Sequence, residues 1–486
     1  MPEPQAVWQP PVVPRPRESP DPSYGPPPAH WGPPPPAPWG APPAPPAPAP
    51  WGPPPFPPIP PAPQRNWKPA VFATLAAVIL AAGAGAAVLW PARDEPAKAD
   101  AATAPARPAT PFELVAERLQ KQAEALTKGD EKAWLAFVDP AKKTLVTRYR
   151  TMFRNLRTLE ISHAEFHADK LEGTTATKVV TQAALGYCFS GVACPDWRKN
   201  YDEGPAKVTY RLTFQQVRGQ WVITELNDQA GVENNYLQPA PWDNRALTFV
   251  KGKRVIVAGP SSQAKQLKQV LALAEKAAKV ADRYAGYVNN PQRRYRVYVA
   301  DEKGWKNWYG GIKEKWVIGY EMPLNSTGGD IVLRAKSSAD RGQLAVTIQH
   351  ELAHVVTLAG GTWETTDDQW LVEGVAEYIG ALPRKPQDTG NHDVLTEAFQ
   401  RRGMPKSIAV PSLADNADDL TVNTLYAMGH YATACMAAKF GDRKLLQFTN
   451  LVLREAKKPD EASRTAYGKP FATVDKACLS WIRDRV

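Results

Sequence analysis

His350-Glu351-Leu352-Ala353-His354 and Trp370-Leu371-Val372-Glu373-Gly374-Val375-Ala376-Glu377-Tyr378, with eighteen residues between His354 and Glu373, are the stretches that decide how this chain reads. On a helix, two histidines four residues apart lie one turn apart and can aim both imidazoles at one metal ion. Glu351, beside the first of them, is placed to take a proton from water at that metal. A second helix carrying Glu373 brings a carboxylate as third ligand. Three protein ligands leave one position open, which separates a catalytic zinc from a structural one. Leu344, Ile348, Leu352 and Val355 recur at helical spacing on the face away from both histidines, and Ser337 or Ser338 can cap the helix start. The helix therefore has one face for a core and another for a cleft.

The histidine pair, the eighteen-residue gap and the Trp370–Tyr378 stretch resemble the gluzincin metallopeptidases, most closely the bacterial peptidase MA-like domains, over about 246–486. This resemblance implies an α+β fold of thermolysin-like architecture, with a mixed-sheet lobe followed by a helical lobe. It implies Zn2+ as cofactor, His350, His354 and Glu373 as its ligands, Glu351 as general base, and a peptide or protein as substrate. The segment Leu425-Tyr426-Ala427-Met428-Gly429-His430-Tyr431 is similar to the family's downstream tyrosine-bearing helix. That makes Tyr426 the first candidate for the oxyanion donor and His430 the second; a buried tyrosine and a surface histidine are the plain alternative. Gly328 to Leu333 reads as a strand and matches the edge strand that pairs with extended substrate. Aminopeptidases of this spacing carry Gly-x-Met-Glu-Asn to hold a free amino terminus. Here Gly319-Tyr320-Glu321-Met322-Pro323-Leu324-Asn325 has a different order, so an endopeptidase, or a peptidase acting on envelope peptides, fits at least as well.

Residue chemistry points the same way. Zinc lowers the pKa of bound water toward ~7, a carboxylate can carry the proton to a leaving amine, and the developing oxyanion needs a phenol or imidazole donor. Glu377 follows Glu373 by one helical turn. It is either a partner for the free N–H of a ligating histidine or a solvated glutamate.

The first half of the chain says where such a site works. Residues 1–69 are a Pro-rich tail: 30 of the chain's 50 prolines fall within the first 64 residues, with Trp-Gly at Trp31, Trp39 and Trp51. Such a composition cannot bury a core and stays extended and disordered. From Ala70 to Trp90, 21 residues pass without a charge, enough to span a bilayer as one transmembrane helix. Arg65 and Lys68 precede it closely, whereas Arg93 is followed by Asp94 and Glu95. The bias puts the tail in the cytoplasm and the rest outside, as a single-pass protein of the cell membrane. Residues 91–111 are an Ala/Pro-rich linker.

Residues 112–235 form a separate α+β module. Helices through Leu119 and Trp134 are followed by alternating segments, and Val208–Phe214 and Trp221–Leu226 flank Arg218-Gly219 as a hairpin. Helices first and a curved antiparallel sheet afterwards loosely resemble the nuclear transport factor 2-like cone. His163 and His167 lie in an alternating stretch and read as strand residues, not ligands. Cys188 and Cys194 bracket a short loop suited to a local disulfide, and Cys435 with Cys478 is a second candidate pair; four cysteines permit three pairings. A boundary falls near Gln238–Trp242. Strand, helix and strand then follow at Arg254–Ala258, Ser262–Tyr284 and Arg294–Val299. Trp305, Trp308 and Trp316 either wall the cleft or, as aromatics more often do, pack the lobe.

The net charge of +10 is spread along 486 residues rather than clustered. It favours loose attraction to an anionic envelope, while no basic helix or aromatic-basic motif supports nucleic-acid binding. Oligomeric state is not legible. The competing class is a non-catalytic envelope binding or scaffold protein that keeps the zinc fold, and Glu351 argues against it, since a structural site has no use for a base.

Overall fold

A computed structural model describes residues 107–189, 194–197, 204–228, 237–312, 317–324, 328–335, 340–358, 368–414 and 417–486. The Pro-rich tail, the transmembrane segment 70–90, most of the linker, Trp316, Asn325, Ser337 and Ser338 lie outside these residues. Among the described residues no helix is long and apolar enough to cross a membrane.

The described chain opens with α1 (Pro111–Lys128), α2 (Glu131–Leu135) and α3 (Lys143–Thr158). Thr110 caps α1 in a reciprocal pair with Glu113, and Asp130 caps α2. Four antiparallel strands follow in sequence order: β1 (Ile161–Lys170), β2 (Lys178–Phe189), β3 (Ala206–Val217) and β4 (Gln220–Asn227). Val217 pairs with Gln220 across Arg218-Gly219, both at positive φ (51° and 77°), the two-residue turn that matches strand twist. His163 and His167 stand on β1 with side chains 45% and 60% exposed, far from any metal geometry.

The second sheet has the order β5-β6-β7-β9-β8, built from β5 (Thr248–Lys251), β6 (Val255–Gly259), β7 (Tyr295–Ala300), β8 (Gly319–Pro323) and β9 (Gly329–Arg334). Helix α4 (Ala264–Tyr287) connects β6 to β7, and the short α5 (Glu302–Asn307) follows β7. Strand β9 pairs with β7 in parallel and with β8 antiparallel, so it is interior. The edge is β8. This corrects the expectation that Gly328–Leu333 is the edge: alternation marks a strand, while strand order is set by non-local pairing.

A helical layer completes the chain: α6 (Arg341–Leu358), α7 (Gln369–Ala381), α8 (Asn391–Arg402), α9 (Asp419–Phe440), α10 (Asp442–Leu453), α11 (Pro459–Tyr467) and α12 (Phe471–Arg483). The central strands of the second sheet are apolar at nearly every position, which requires cover on both faces. Val255, Val257, Val297, Ile331 and Leu333 meet α4, α6, α7 and α9 in one core. Ile256, Ala258, Tyr298, Val332 and Tyr320 point the other way, into a second core shared with α1, α3 and the four-stranded sheet. Trp305 and Trp308, each 2% exposed, belong to that second core and do not wall a cleft.

Polar contacts line the same boundary. Arg296 bonds Asp330 at 2.6 Å, Tyr309 donates to the other oxygen of Asp330 at 2.7 Å, and the Arg296 guanidinium lies 4.2 Å from the centre of the Phe189 ring. Arg148 on α3 reaches Asp228 at 2.9 Å and the buried Asp243 at 3.0 Å. Residues from Pro108 onward thus form one compact unit. Two disulfides are present: Cys188–Cys194, and Cys435–Cys478, which ties α9 to α12.

Candidate metal centre

Helix α6 starts at Arg341 because Asp340 accepts from the backbone N–H groups of Gly342 and Gln343 at 2.7 and 3.1 Å. The cap is thus an aspartate, a residue as well suited to the role as the serines just upstream. From Thr347 onward α6 is buried almost all round, not on one stripe alone, because α7 and β8 cover the face that carries the histidines.

Three local devices fix α6, α7 and α9 relative to one another. The Gln349 side-chain amide donates to the carbonyls of Ile379, Gly380 and Leu382 at 2.7, 3.2 and 3.0 Å, so the residue before His350 closes the end of α7. Gly374 on α7 and Gly429 on α9 touch through backbone: a Cβ on Gly374 would sit 2.5 Å from the Gly429 carbonyl oxygen. Thr433 then donates to the Gly374 carbonyl at 2.8 Å.

The outcome is a buried cluster. His350 Nε2 and His354 Nε2 lie 3.0 Å apart, and Glu373 Oε2 is 3.4 and 3.3 Å from them. Three tetrahedral ligands with bonds near 2.0–2.1 Å to one ion stand about 3.3 Å from each other. The three atoms therefore have the spacing of ligands to one zinc ion, and a donor set of two imidazole nitrogens and a carboxylate oxygen suits that metal. Among the described residues this is the one such group. His350 Nδ1 is 3.0 Å from Glu377 Oε1, so the second glutamate of α7 faces the first histidine rather than solvent.

Electrostatics follow the geometry. Burial opposes the charge on Glu373, but the imidazoles of His354 and His350 outweigh it and take the carboxyl down to about 2. Burial likewise lowers His350, and its bonds to Glu373 and Glu377 reverse this, up to about 10. Glu351 is pushed up to about 8, first by burial and then by Glu373 and Glu377, against the pull of His350 and of the Glu321 backbone N–H.

The remaining predicted residues arrive at the same place. Tyr426, 1% exposed, donates its hydroxyl to Glu373, and burial with three nearby glutamates holds it well above the ordinary phenol range. His430, one turn on, is also buried; burial, Arg384 and His350 take it down to about 3, so the ring is neutral. Edge strand β8 passes directly over Glu351. A Cβ on Gly319 would lie 3.4 Å from Glu351 Oε1 and 2.9 Å from Thr347 Cγ2, so only glycine lets the strand come this close.

Asn391, Gln349 and Glu321 belong to the site and carry no sequence signal of it. Asn391 donates to Glu377 Oε2 at 2.8 Å. Glu321 is a buried carboxyl on β8, held well above the ordinary carboxylate range by burial and by Glu351 and Asp330.

No protein-family model matches this chain. No curated protein matches it either. Among solved structures it is similar to a mutant M1 zinc metallopeptidase from Deinococcus radiodurans, at 12% identity over 67% of this chain and 95% of that one, with a TM-score of 0.30. At that score the likeness decides nothing, and the site stands on its own geometry.

Proposed function

We propose that this chain is a zinc-dependent peptidase of gluzincin type, hydrolysing peptide bonds with Glu351 as general base. The observation that carries the proposal is the convergence of His350 Nε2 and His354 Nε2, on the helix that also carries Glu351, with Glu373 Oε2 of α7, to within 3.0–3.4 Å of one another. Zinc, when bound, supplies a Lewis acid that polarises a carbonyl and lowers the pKa of water toward ~7. Glu351 takes a proton from attacking water and hands it to the leaving amine. His430 and, once its hydroxyl turns from Glu373, Tyr426, on the face of α9 turned to the cluster, are the donors for the developing oxyanion. Edge strand β8 offers its free side to an extended peptide, so recognition runs through backbone.

The site works outside the cytoplasm, behind a single membrane helix at 70–90. The uncharged 21-residue stretch and the two disulfides support that placement, since structural disulfides persist in oxidising compartments. Protease added to intact cells is expected to digest the C-terminal half and spare the Pro-rich tail; the reverse pattern overturns the orientation.

The decisive experiment pairs metal analysis with cleavage of a peptide library by the full-length protein and Glu351→Gln. Zinc in both and cleavage by the wild type alone is the expected result. Zinc in both with cleavage by neither leaves a scaffold that keeps the zinc fold. His354→Ala is expected to lose the metal, and unchanged zinc stoichiometry would remove this ligand assignment.

A further inference from the structure

The site contains a chain of polar contacts that no motif announces. His350 Nδ1 lies 3.0 Å from Glu377 Oε1, Glu377 Oε2 accepts from Asn391 Nδ2 at 2.8 Å, and the same Nδ2 lies 2.9 Å from His430 Nδ1. An ionised carboxylate only accepts hydrogen bonds, so the amide edge turned toward Glu377 must be its NH2 group. That group has two hydrogens, and the second points at His430. His430 Nδ1 is therefore the acceptor, which leaves the ring proton on Nε2.

His430 Nε2 is buried and has no hydrogen-bond partner among the described residues. A buried donor without a partner is costly, and a folded protein that keeps one calls for an explanation, a catalytic role among them. Tyr426, one turn earlier on α9, lies against Glu373, so His430 stands on the side of α9 that faces the metal cluster.

We propose that Asn391 is a positioning residue: it ties the carboxylate behind His350 to His430 and locks His430 as the Nε2–H tautomer, a neutral donor held for the substrate's carbonyl oxygen. The substrate half of this assignment rests on the peptidase reading of the site; the tautomer half rests on the contacts alone. Asn391 is the first residue of α8, so its backbone is fixed by the helix and its side chain spans the gap between α7 and α9. Asn391→Asp removes the donor to Glu377 and presents His430 Nδ1 with an acceptor, which calls for the opposite tautomer.

The test uses the full-length protein labelled with 15N-histidine, whose seven histidines give few ring signals. In the zinc-free wild type, the His430 ring is expected to carry its proton on Nε2; in Asn391→Asp it moves to Nδ1. With zinc restored, Asn391→Asp is expected to lose about 10²-fold in kcat with KM little changed, as loss of an oxyanion donor does. Zinc affinity is expected to fall by about tenfold through Glu377. Asn391→Ser, smaller and uncharged, serves if the aspartate disturbs folding; its His430 ring is expected to lose the single-tautomer signature. If the wild type cuts no peptide while the tautomer shifts as stated, the positioning assignment stands and the peptidase reading falls. An Nδ1–H ring in the wild type, or a tautomer and kcat unmoved by both substitutions, overturns the proposal.

Discussion

Replacing Gly429 by alanine adds one methyl group where α7 and α9 meet. The new Cβ would lie 2.5 Å from the Trp370 carbonyl oxygen and 2.8 Å from the Gly374 Cα, against the 3.4–4 Å of ordinary contact. Both neighbours are backbone atoms, so no rotamer change relieves them and the helices must part by roughly 1 Å. Overpacking of this kind costs about 1–3 kcal/mol, while alanine's helix propensity over glycine returns roughly 1 kcal/mol. The net loss in stability is therefore modest, about 0–2 kcal/mol. Activity is expected to fall much further. Tyr426 and His430 ride on α9, Glu373 and Glu377 on α7, and a 1 Å misplacement of reacting groups costs up to ~10²-fold in rate. The assay is kcat/KM beside a denaturant midpoint, with Gly286→Ala as control. Gly286 sits in α4 with nothing within 4 Å of an added Cβ, so alanine there is expected to gain up to about 1 kcal/mol and leave activity alone. Wild-type kcat/KM in Gly429→Ala would refute the claim that this contact sets the site.

Glu321→Gln tests the buried carboxyl of β8. Its folded pKa is raised above the unfolded value, so the wild type holds this stability at low pH and loses it as pH rises from the ordinary carboxylate range toward the folded pKa. The variant, measured in zinc-free protein, is expected to match the wild type near pH 4 and exceed it increasingly toward pH 8; a pH-independent difference would sink the idea. A chain starting at Ala246 is expected to be insoluble. It bares Tyr298, Trp305, Trp308, Tyr320, Met322 and Val332, and at about 1.5–3 kcal/mol per side chain the loss is on the order of 10 kcal/mol, comparable to the whole stability of a domain. A soluble, cooperatively melting fragment would contradict this. Cys478→Ser opens a bridge of sequence separation 43 and is expected to cost about 4 kcal/mol in denaturant unfolding, whereas Cys194→Ser, with separation 6, costs about 2 kcal/mol. Equal losses would show that loop length is not what these bridges contribute.

The cluster of His350, His354 and Glu373 was legible because its geometry is local. Two imidazoles one turn apart are a property of helical periodicity, and Glu373 needed only a second helix at a workable distance. Tyr426 and His430 were legible as a pair for the same reason, but the contact of His430 with Asn391, which arrives from α8 through tertiary packing, leaves no trace in spacing. The edge strand was misplaced because Gly328–Leu333 and Gly319–Pro323 are both short segments of strand length with one acidic residue each, and nothing in either states which has a second neighbour. Gly319, Gly374 and Gly429 read as ordinary glycines; their meaning lies in what a Cβ would strike on another element.

The shared second core did leave a signal. Val255-Ile256-Val257-Ala258 and Val297-Tyr298-Val299-Ala300 are apolar at every position, and a strand with one solvated face alternates instead. Helices α4, α6, α7 and α9 can cover only one face of that sheet, so a second cover had to come from somewhere, and the nearest unspent apolar surface is that of residues 112–235. This changes what the upstream segment can be. The faces of its helices and strands that carry apolar residues are consumed against Ile256, Tyr298 and Val332, and its Arg148 is committed to Asp243. Asp330, clamped by Tyr309 and by Arg296, whose guanidinium lies on the Phe189 ring of the upstream sheet, pairs in register with Met322, the neighbour of Glu321 on the edge strand over Glu351. Removing Arg296 would leave Asp330 buried without its cation, a change worth about 3–5 kcal/mol, two strands from the base. The upstream segment is thus the back wall of the sheet that carries the site, and its first consequence for chemistry is to hold β8 in place.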